Sequence, residues 1–409
     1  MKIKPFIAVR PPAHVADQVA SPPYDVVDTA EARALAEGNP LSFLRIVRSE
    51  IELSESTSPY DDAVYARAAE NFKQFKAKGY LETASAPAIY VYQLTHDTHQ
   101  QNGVVTVSHV DDYDEGRIKR HENTRKPTED DRTRHVQTVN ANTGPVFLTY
   151  RDQAEIDALV EEVQQDTPLY RFTAPDGVTH TVWEVRHAMP FIDAFSRVPC
   201  AYVADGHHRA ASAARVARMR RDQQAGPGGV DSEAEYLWFL TVFFPAQQLK
   251  ILPYNRCVRD LNGHRPAAFL DAVRERFDCT RTDRKQPREP GRIGMYLDGE
   301  WYELRPKEAP PADDPVAGLD VSLLQDRLLQ PVLGIDDPRN NPRIEFIGGV
   351  RGTQALETRV NDGRAAVAFS MYPVSIEQLL AVADADRIMP PKSTWFEPKL
   401  KSGLLIHEL

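Results

Sequence analysis

This sequence predicts a mixed α/β (α+β) fold with more than one sheet. Three observations carry that reading. Short apolar runs of strand length recur along the chain, Ile7–Arg10, Pro145–Tyr150 and Tyr236–Phe244 among them. Segments with apolar residues at helical spacing fall between them, as in Tyr60–Lys78 with Val64, Ala68, Phe72 and Phe75. Turn dipeptides such as Asp298-Gly299 separate strand pairs in the manner of a type I′ hairpin.

The elements follow in order. Ile7-Ala8-Val9-Arg10 reads as a strand stopped by Pro11-Pro12. Pro22-Pro23-Tyr24-Asp25 is too proline-rich for helix and is either a rigid turn or a site-lining loop. Thr29–Glu37 is a short helix, and a strand is expected within Asn39–Arg48. Ala88–Leu94 and Gly103–Val110 pair around a polar loop, His96–Asn102. Asp111–His135 is so charged that it reads as a surface loop or an exposed helix. Gln153–Gln164 is helical, Leu169–Ala174 and Thr179–Val185 form a hairpin, and Arg186–Ser196 is a helix. Gly226-Pro227-Gly228-Gly229 is a flexible break. Pro266–Phe277 is a helix, Ile293–Leu297 and Glu300–Leu304 a hairpin, and Lys307–Pro315 a proline-rich linker. Asp320–Leu329 is helical, Ala366–Met371 a strand, and Ser375-Ile376-Glu377-Gln378 a capping box that opens a helix to Ala385.

A chain of 409 residues implies two or three structural units, expected as regions 1–110, 111–225 and 226–409, although one continuous fold would also fit. With 42% hydrophobic and 26% charged residues the composition is that of an ordinary soluble globular protein. The net charge of -10 argues against a general nucleic-acid binder, because phosphate affinity comes mainly from clustered Lys and Arg. Cys200, Cys257 and Cys279 are scattered and form no CxxC pattern, which fits a reducing cytoplasm. The first residues lack the apolar run of a signal peptide, and no segment reaches about 18 uninterrupted apolar residues, so no membrane span is expected.

One stretch organises the rest. Cys200–Ala204 is short and apolar like a buried strand, Asp205-Gly206 is a turn, and from His207 the chain is rich in Ala and Arg without Pro or Gly as far as Gln224. A helix opening with His207-His208-Arg209 puts unbonded backbone N–H groups beside three cationic side chains. The helix dipole adds partial positive charge, so the natural guest is an anion, above all a phosphate. The plain alternative is an ordinary strand–turn–helix connection with solvated polar residues.

This box, Asp205-Gly206-His207-His208-Arg209 with Ala at 210–211, resembles the Gly-x-x-Arg box of the ParB/sulfiredoxin-like superfamily, which includes the archaeal free serine kinases. The resemblance implies a nucleotide-binding unit whose box holds phosphates, and it suggests a small hydroxylated acceptor such as serine. A wider resemblance is to a bacterial and archaeal family filed as a domain of unknown function. Its marks are Ser21-Pro22-Pro23-Tyr24-Asp25-Val26-Val27, Arg120-His121-Glu122-Asn123-Thr124, the box, and Met389-Pro390-Pro391-Lys392-Ser393-Thr394-Trp395-Phe396-Glu397-Pro398-Lys399. It implies no settled activity.

The expected function is binding of a nucleotide, ATP or ADP, or of a phosphorylated small metabolite, with phosphoryl transfer or removal. Asp205, Gly206, His207, His208 and Arg209 would hold it, with Lys392, Ser393 and Thr394 as further donors on a proline-stiffened loop. Lys399 belongs to the same loop. Glu122 is the preferred general base, with His121 and His208 as further catalytic candidates. Mg²⁺ on Asp205 and substrate phosphates is plausible, although Asp205 is equally suited to capping the helix. Zinc is not expected, since HExxH is broken by Arg125 and no CxxC occurs. Cys257 reads as inert packing. The alternative is a ParB-like regulatory or DNA-associated module. No clear reading helix follows the box, which opposes that alternative.

Overall fold

The apolar run Trp238-Phe239-Leu240-Thr241-Val242-Phe243-Phe244 dictates the centre of the first unit. A continuous apolar strand must be covered on both faces, and every residue of Trp238–Pro245 is buried. In the computed structural model, which describes residues 1–224, 231–311 and 313–409, this strand lies inside a nine-stranded sheet. The order runs Ile118–Lys119, Ala201–Asp205, Val146–Tyr150, Trp238–Pro245, His99–His109, Ile89–His96, Thr179–Val185 and Tyr170–Thr173, with Ile3–Lys4 against His99–His109. Trp238–Pro245 runs parallel to Val146–Tyr150 and antiparallel to His99–His109. The segment Gly226-Pro227-Gly228-Gly229 lies outside the described residues.

The chain divides into two compact units. The first comprises Met1–Lys119, Thr124–Leu249 and Pro398–Leu409; the second comprises Arg120–Asn123 and Lys250–Glu397. They cut across the expected regions 1–110, 111–225 and 226–409. Beside the large sheet, the first unit holds a four-stranded sheet of Glu82–Thr83, Ala8–Arg10, Ile406–Glu408 and Ala141–Asn142. Phe43, Leu44, Ile46, Phe72 and Phe75 share a core with Val9 and Ile406 of that sheet. The helix His207–Gln224 packs against Lys126–Val139 through small buried residues, Ala210, Ala214 and Ala217 being inaccessible.

The second unit is built on a six-stranded antiparallel sheet in the order Phe277–Arg281, Glu300–Pro306, Ile293–Leu297, Val367–Ser370, Tyr254–Val258 and Ile344–Gly348. Asp298 and Gly299 both have positive φ, 49° and 82°, as the type I′ hairpin requires. The capping box at Ser375 is formed in both directions and opens Ile376–Asp384. Asp320–Leu324 continues as a π-helix over Gln325–Leu329. Cys257 is buried in its strand with its thiol pushed up by burial to about 12, so it is unreactive packing.

Four expectations need correction. No strand forms within Asn39–Arg48; Leu44–Val47 is a helical turn with Leu44, Ile46 and Val47 buried. A short, mostly apolar run does not distinguish strand from helix, because four residues are too few to show either period. Asp111–His135 is not a surface loop; the helix alternative holds over Lys126–Val139, but that helix is part-buried, and the run also holds part of the helix Val110–Asp114 and the strand Ile118–Lys119. Lys126–Val139 buries Thr133, His135, Val136 and Val139, a narrow apolar stripe hidden by the charges around it. The polar loop expected at 96–102 shrinks to a tight turn, because His96 and His99 already pair across the two strands. Lys307–Pro315 marks no boundary, since it falls inside the second unit, where Asp314 accepts N–H bonds from Val316 and Ala317.

Candidate functional site

Ala201–Asp205 is buried until its last residue, and the helix His207–Gln224 begins two positions later. Gly206 makes that reversal in a single residue with φ +94°, a conformation L side chains rarely adopt. A Cβ there would also lie 3.0 Å from Arg209 Nε, so the glycine lets the guanidinium fold back over the turn. The helix then presents its first N–H groups directly after the strand.

Arg209 is the centre of a charge network in the first unit. Nη1 donates to the Pro145 carbonyl. Nη2 lies 3.4 Å from Asp205 Oδ1 and 3.8 Å from Asp25 Oδ2. The other oxygen of Asp205 accepts from Lys399 Nζ at 2.7 Å. Burial alone would lower the guanidinium pKa, but Asp25 and Asp205 outweigh it and raise it above the ordinary arginine value. Two cations thus face two carboxylates, with the Arg209 side chain only 12% exposed. Its Nε is buried and has no hydrogen-bond partner among the described residues.

A cavity of about 30 Å³ opens beside it, lined by Tyr24, Arg132, Asn142, Thr143, Arg209 and Ser402. That is room for a water or a small ion. The Arg132 guanidinium stacks 4.0 Å over the Tyr24 ring and pairs with Asp131 at 2.6 Å. Burial, aided by Asp25, pushes the Tyr24 phenol well above its ordinary range, so it stays a neutral O–H.

The other box residues are built into the surrounding structure. His207 is buried. His208 Nε2 accepts the main-chain N–H of Arg125 at 3.0 Å, tying the turn to the start of Lys126–Val139. Two acids of the charged run are engaged by neighbouring helices: Asp130 holds Arg215 at 2.5 Å and Lys126 at 2.6 Å, and Asp131 accepts from Tyr65 Oη at 2.8 Å.

His121, Glu122, Lys392, Ser393 and Thr394 belong to the second unit. There the structure joins two of the sequence marks. The His121 carbonyl accepts from Met389 N–H at 2.8 Å, and His121 Nε2 lies 3.3 Å from Thr394 Oγ1. Ser393 is buried and donates to the Pro390 carbonyl at 2.6 Å. Lys392 adopts φ +56° and sets its ammonium 5.5 Å over the Tyr254 ring. In the first unit, Asp205, His207, His208 and Arg209 converge on one turn.

Sequence reasoning assigned no role to Asp25, and it did not pair Lys399 with Asp205. Both are long-range partners, and only the proline-stiffened segments that carry them stood out.

A family model described as "Protein of unknown function (DUF1015)" matches residues 3–322. Among solved structures, a free serine kinase in complex with AMP is 10% identical, with a TM-score of 0.38 over 74% of this chain and 91% of that chain. A conserved hypothetical protein from Pyrococcus furiosus is 10% identical with a TM-score of 0.37, over 74% and 94% of the two chains. SbnI with a C-terminal truncation, from Staphylococcus aureus, is 13% identical with a TM-score of 0.37, over 74% and 87%. No curated protein matches the sequence.

Proposed function

The chain belongs to this DUF1015 family of unknown function, and from its own site we propose that it binds a nucleotide or phosphorylated small metabolite at the Asp205–Arg209 turn and catalyses phosphoryl transfer or removal. One observation carries the reading: a buried arginine with an unused Nε–H, folded over a positive-φ glycine at the first turn of a long helix. A phosphate oxygen there would take that N–H together with first-turn backbone N–H groups.

The carboxylates have a place in the same reading. Asp25 and Asp205 hold Arg209 and Lys399 in position while no anion is bound. A bound phosphate would compete with Asp25 for Arg209. Mg²⁺ arriving with a nucleotide would offer Asp205 a new partner and offset the added negative charge. The box's resemblance implies a small hydroxylated acceptor such as serine, and Glu122 is the proposed general base for it.

Titration calorimetry with ATP, ADP and inorganic phosphate tests the binding half. Arg209→Ala should weaken binding by roughly 1.5–3 kcal/mol, the worth of a hydrogen bond to a charged group. Unchanged affinity in that variant would remove the proposed site. Glu122→Gln tests the chemical half: binding should survive while turnover in a phosphate-transfer assay falls by about 10²–10⁴-fold.

A further inference from the structure

The cavity of about 30 Å³ beside Arg209 has a second arginine on its wall. Arg132, from the helix Lys126–Val139, lines it together with Arg209, and no Asp or Glu does. Each arginine is fixed by acids that stand outside the lining. Asp131 takes the Nε and Nη2 edge of Arg132, at 2.7 and 2.6 Å, and is itself held by Tyr65 Oη. The face of the guanidinium lies on the Tyr24 ring. Only Nη1 of the fork is left over. It has no hydrogen-bond partner among the described residues, and it is not one of their fully buried atoms either. A fixed donor with open surface, on a wall that carries two cations, suits an anionic guest.

The full charge balance says how an anion could enter. Around the two guanidinium groups, Arg132, Arg209 and Lys399 face Asp131, Asp205 and Asp25, three cations against three carboxylates. His135 also lines the cavity, but burial lowers it to about 4, so it adds no charge at neutral pH. The Tyr24 phenol stays neutral as well. An added anion therefore needs one carboxylate to yield. Asp25 is the one placed to do so. Its 3.8 Å contact is the longest of the set, and its side chain is 32% exposed, against 22% for Asp205 and 10% for Asp131.

Size narrows the guest. A space of about 30 Å³ holds roughly two waters, which suits one tetrahedral oxyanion and not a di- or triphosphate. We propose, resting on the reading of the Arg209 turn as a phosphate site, that Arg132 is its second clamp. The cavity takes a single phosphoryl group, which accepts from Arg132 Nη1 and from the Arg209 Nη2 that Asp25 gives up. A larger ligand places only its end phosphate there.

Inorganic phosphate is the probe, titrated calorimetrically into the full chain at neutral pH. Arg132→Gln should weaken its binding by roughly 10–150-fold, the factor that one hydrogen bond to a charged group represents. Arg132→Lys keeps the charge without the fork and should recover part of that loss. Asp25→Asn removes the carboxylate that has to yield and should bind phosphate more tightly, a gain that damage to the fold would not produce. Should Arg132→Gln fail to fold because it strands Asp131, Ala213→Val decides. It adds two methyl groups at the cavity wall, leaves both arginines in place, and should abolish binding. If Arg209→Ala loses affinity while Arg132→Gln and Ala213→Val keep it, the Arg209 reading stands and this proposal falls. No gain in Asp25→Asn overturns it too. So does an absence of saturable phosphate binding, after which ATP still tests the Arg209 reading by itself.

Discussion

Gly206 and Arg209 act as one device. A glycine at φ +94° whose Cβ position lies 3.0 Å from a guanidinium nitrogen tolerates no side chain without moving Arg209. Gly206→Ala should therefore destabilise the fold by about 1–3 kcal/mol, the typical cost of holding a non-glycine residue in such a region, and should weaken phosphate binding as well. Urea midpoints and calorimetry read the two effects. The buried histidines make a second prediction. Burial lowers His135 to about 4 and His180 to about 3 from an ordinary 6.5. Both are then neutral in the native state, while the unfolded chain takes up protons below 6.5. Their contribution is full above that pH and is lost as pH falls toward 4 and then 3, on the order of a few kcal/mol in all. Urea midpoints measured from pH 7.5 downward should fall through this window, and His135→Gln should flatten the decline. A flat wild-type profile would contradict the burial argument. At this scale Arg209 was legible, because the Gly-x-x-Arg spacing is local. Asp25 was not, because its pairing with Arg209 joins positions far apart in the chain.

Elements were readable where one physical signal dominated. His207–Gln224 was visible as a stretch with no helix breaker, and the Ser375 capping box was visible as a reciprocal side-chain pattern. Lys126–Val139 was read as a loop or an exposed helix, and its burial was missed because the stripe of Thr133, Val136 and Val139 is narrow and lies among charges that pair across to the neighbouring helix. Leu44–Val47 was misjudged because four residues, three apolar and one arginine, are too few to show a helical or a strand period. The close contact of these two long helices gives an element-scale prediction. Ala214 is inaccessible on the Ala-rich face of His207–Gln224. Ala214→Leu should cost about 1–3 kcal/mol by overpacking, whereas a change at exposed Arg218 should cost little. Comparable urea midpoints for the two variants would mean that the helix does not depend on small residues for its seat.

At the scale of the molecule, charge decides which phosphates the protein meets. The chain carries a net charge of -10. Many of its arginines are already committed: Arg215 to Asp130, Arg218 to Asp114, Arg221 to Asp111, Arg343 to Asp260 and Arg359 to Glu345. Duplex DNA is bound by releasing counterions through many unpaired cations, and a surface whose cations are matched by acids releases few. No specific duplex binding is therefore expected at about 0.15 M salt. A nucleotide at Arg209 is a different case, because its affinity would rest on a few largely buried, short-range contacts that salt screens weakly. Raising the salt should leave nucleotide affinity nearly unchanged, while any duplex association seen at low salt should vanish. Mobility-shift and calorimetric titrations over the same salt series compare the two directly. A duplex shift that persists at about 0.15 M salt, beside nucleotide binding that collapses there, would reverse the assignment and favour the ParB-like, DNA-associated alternative.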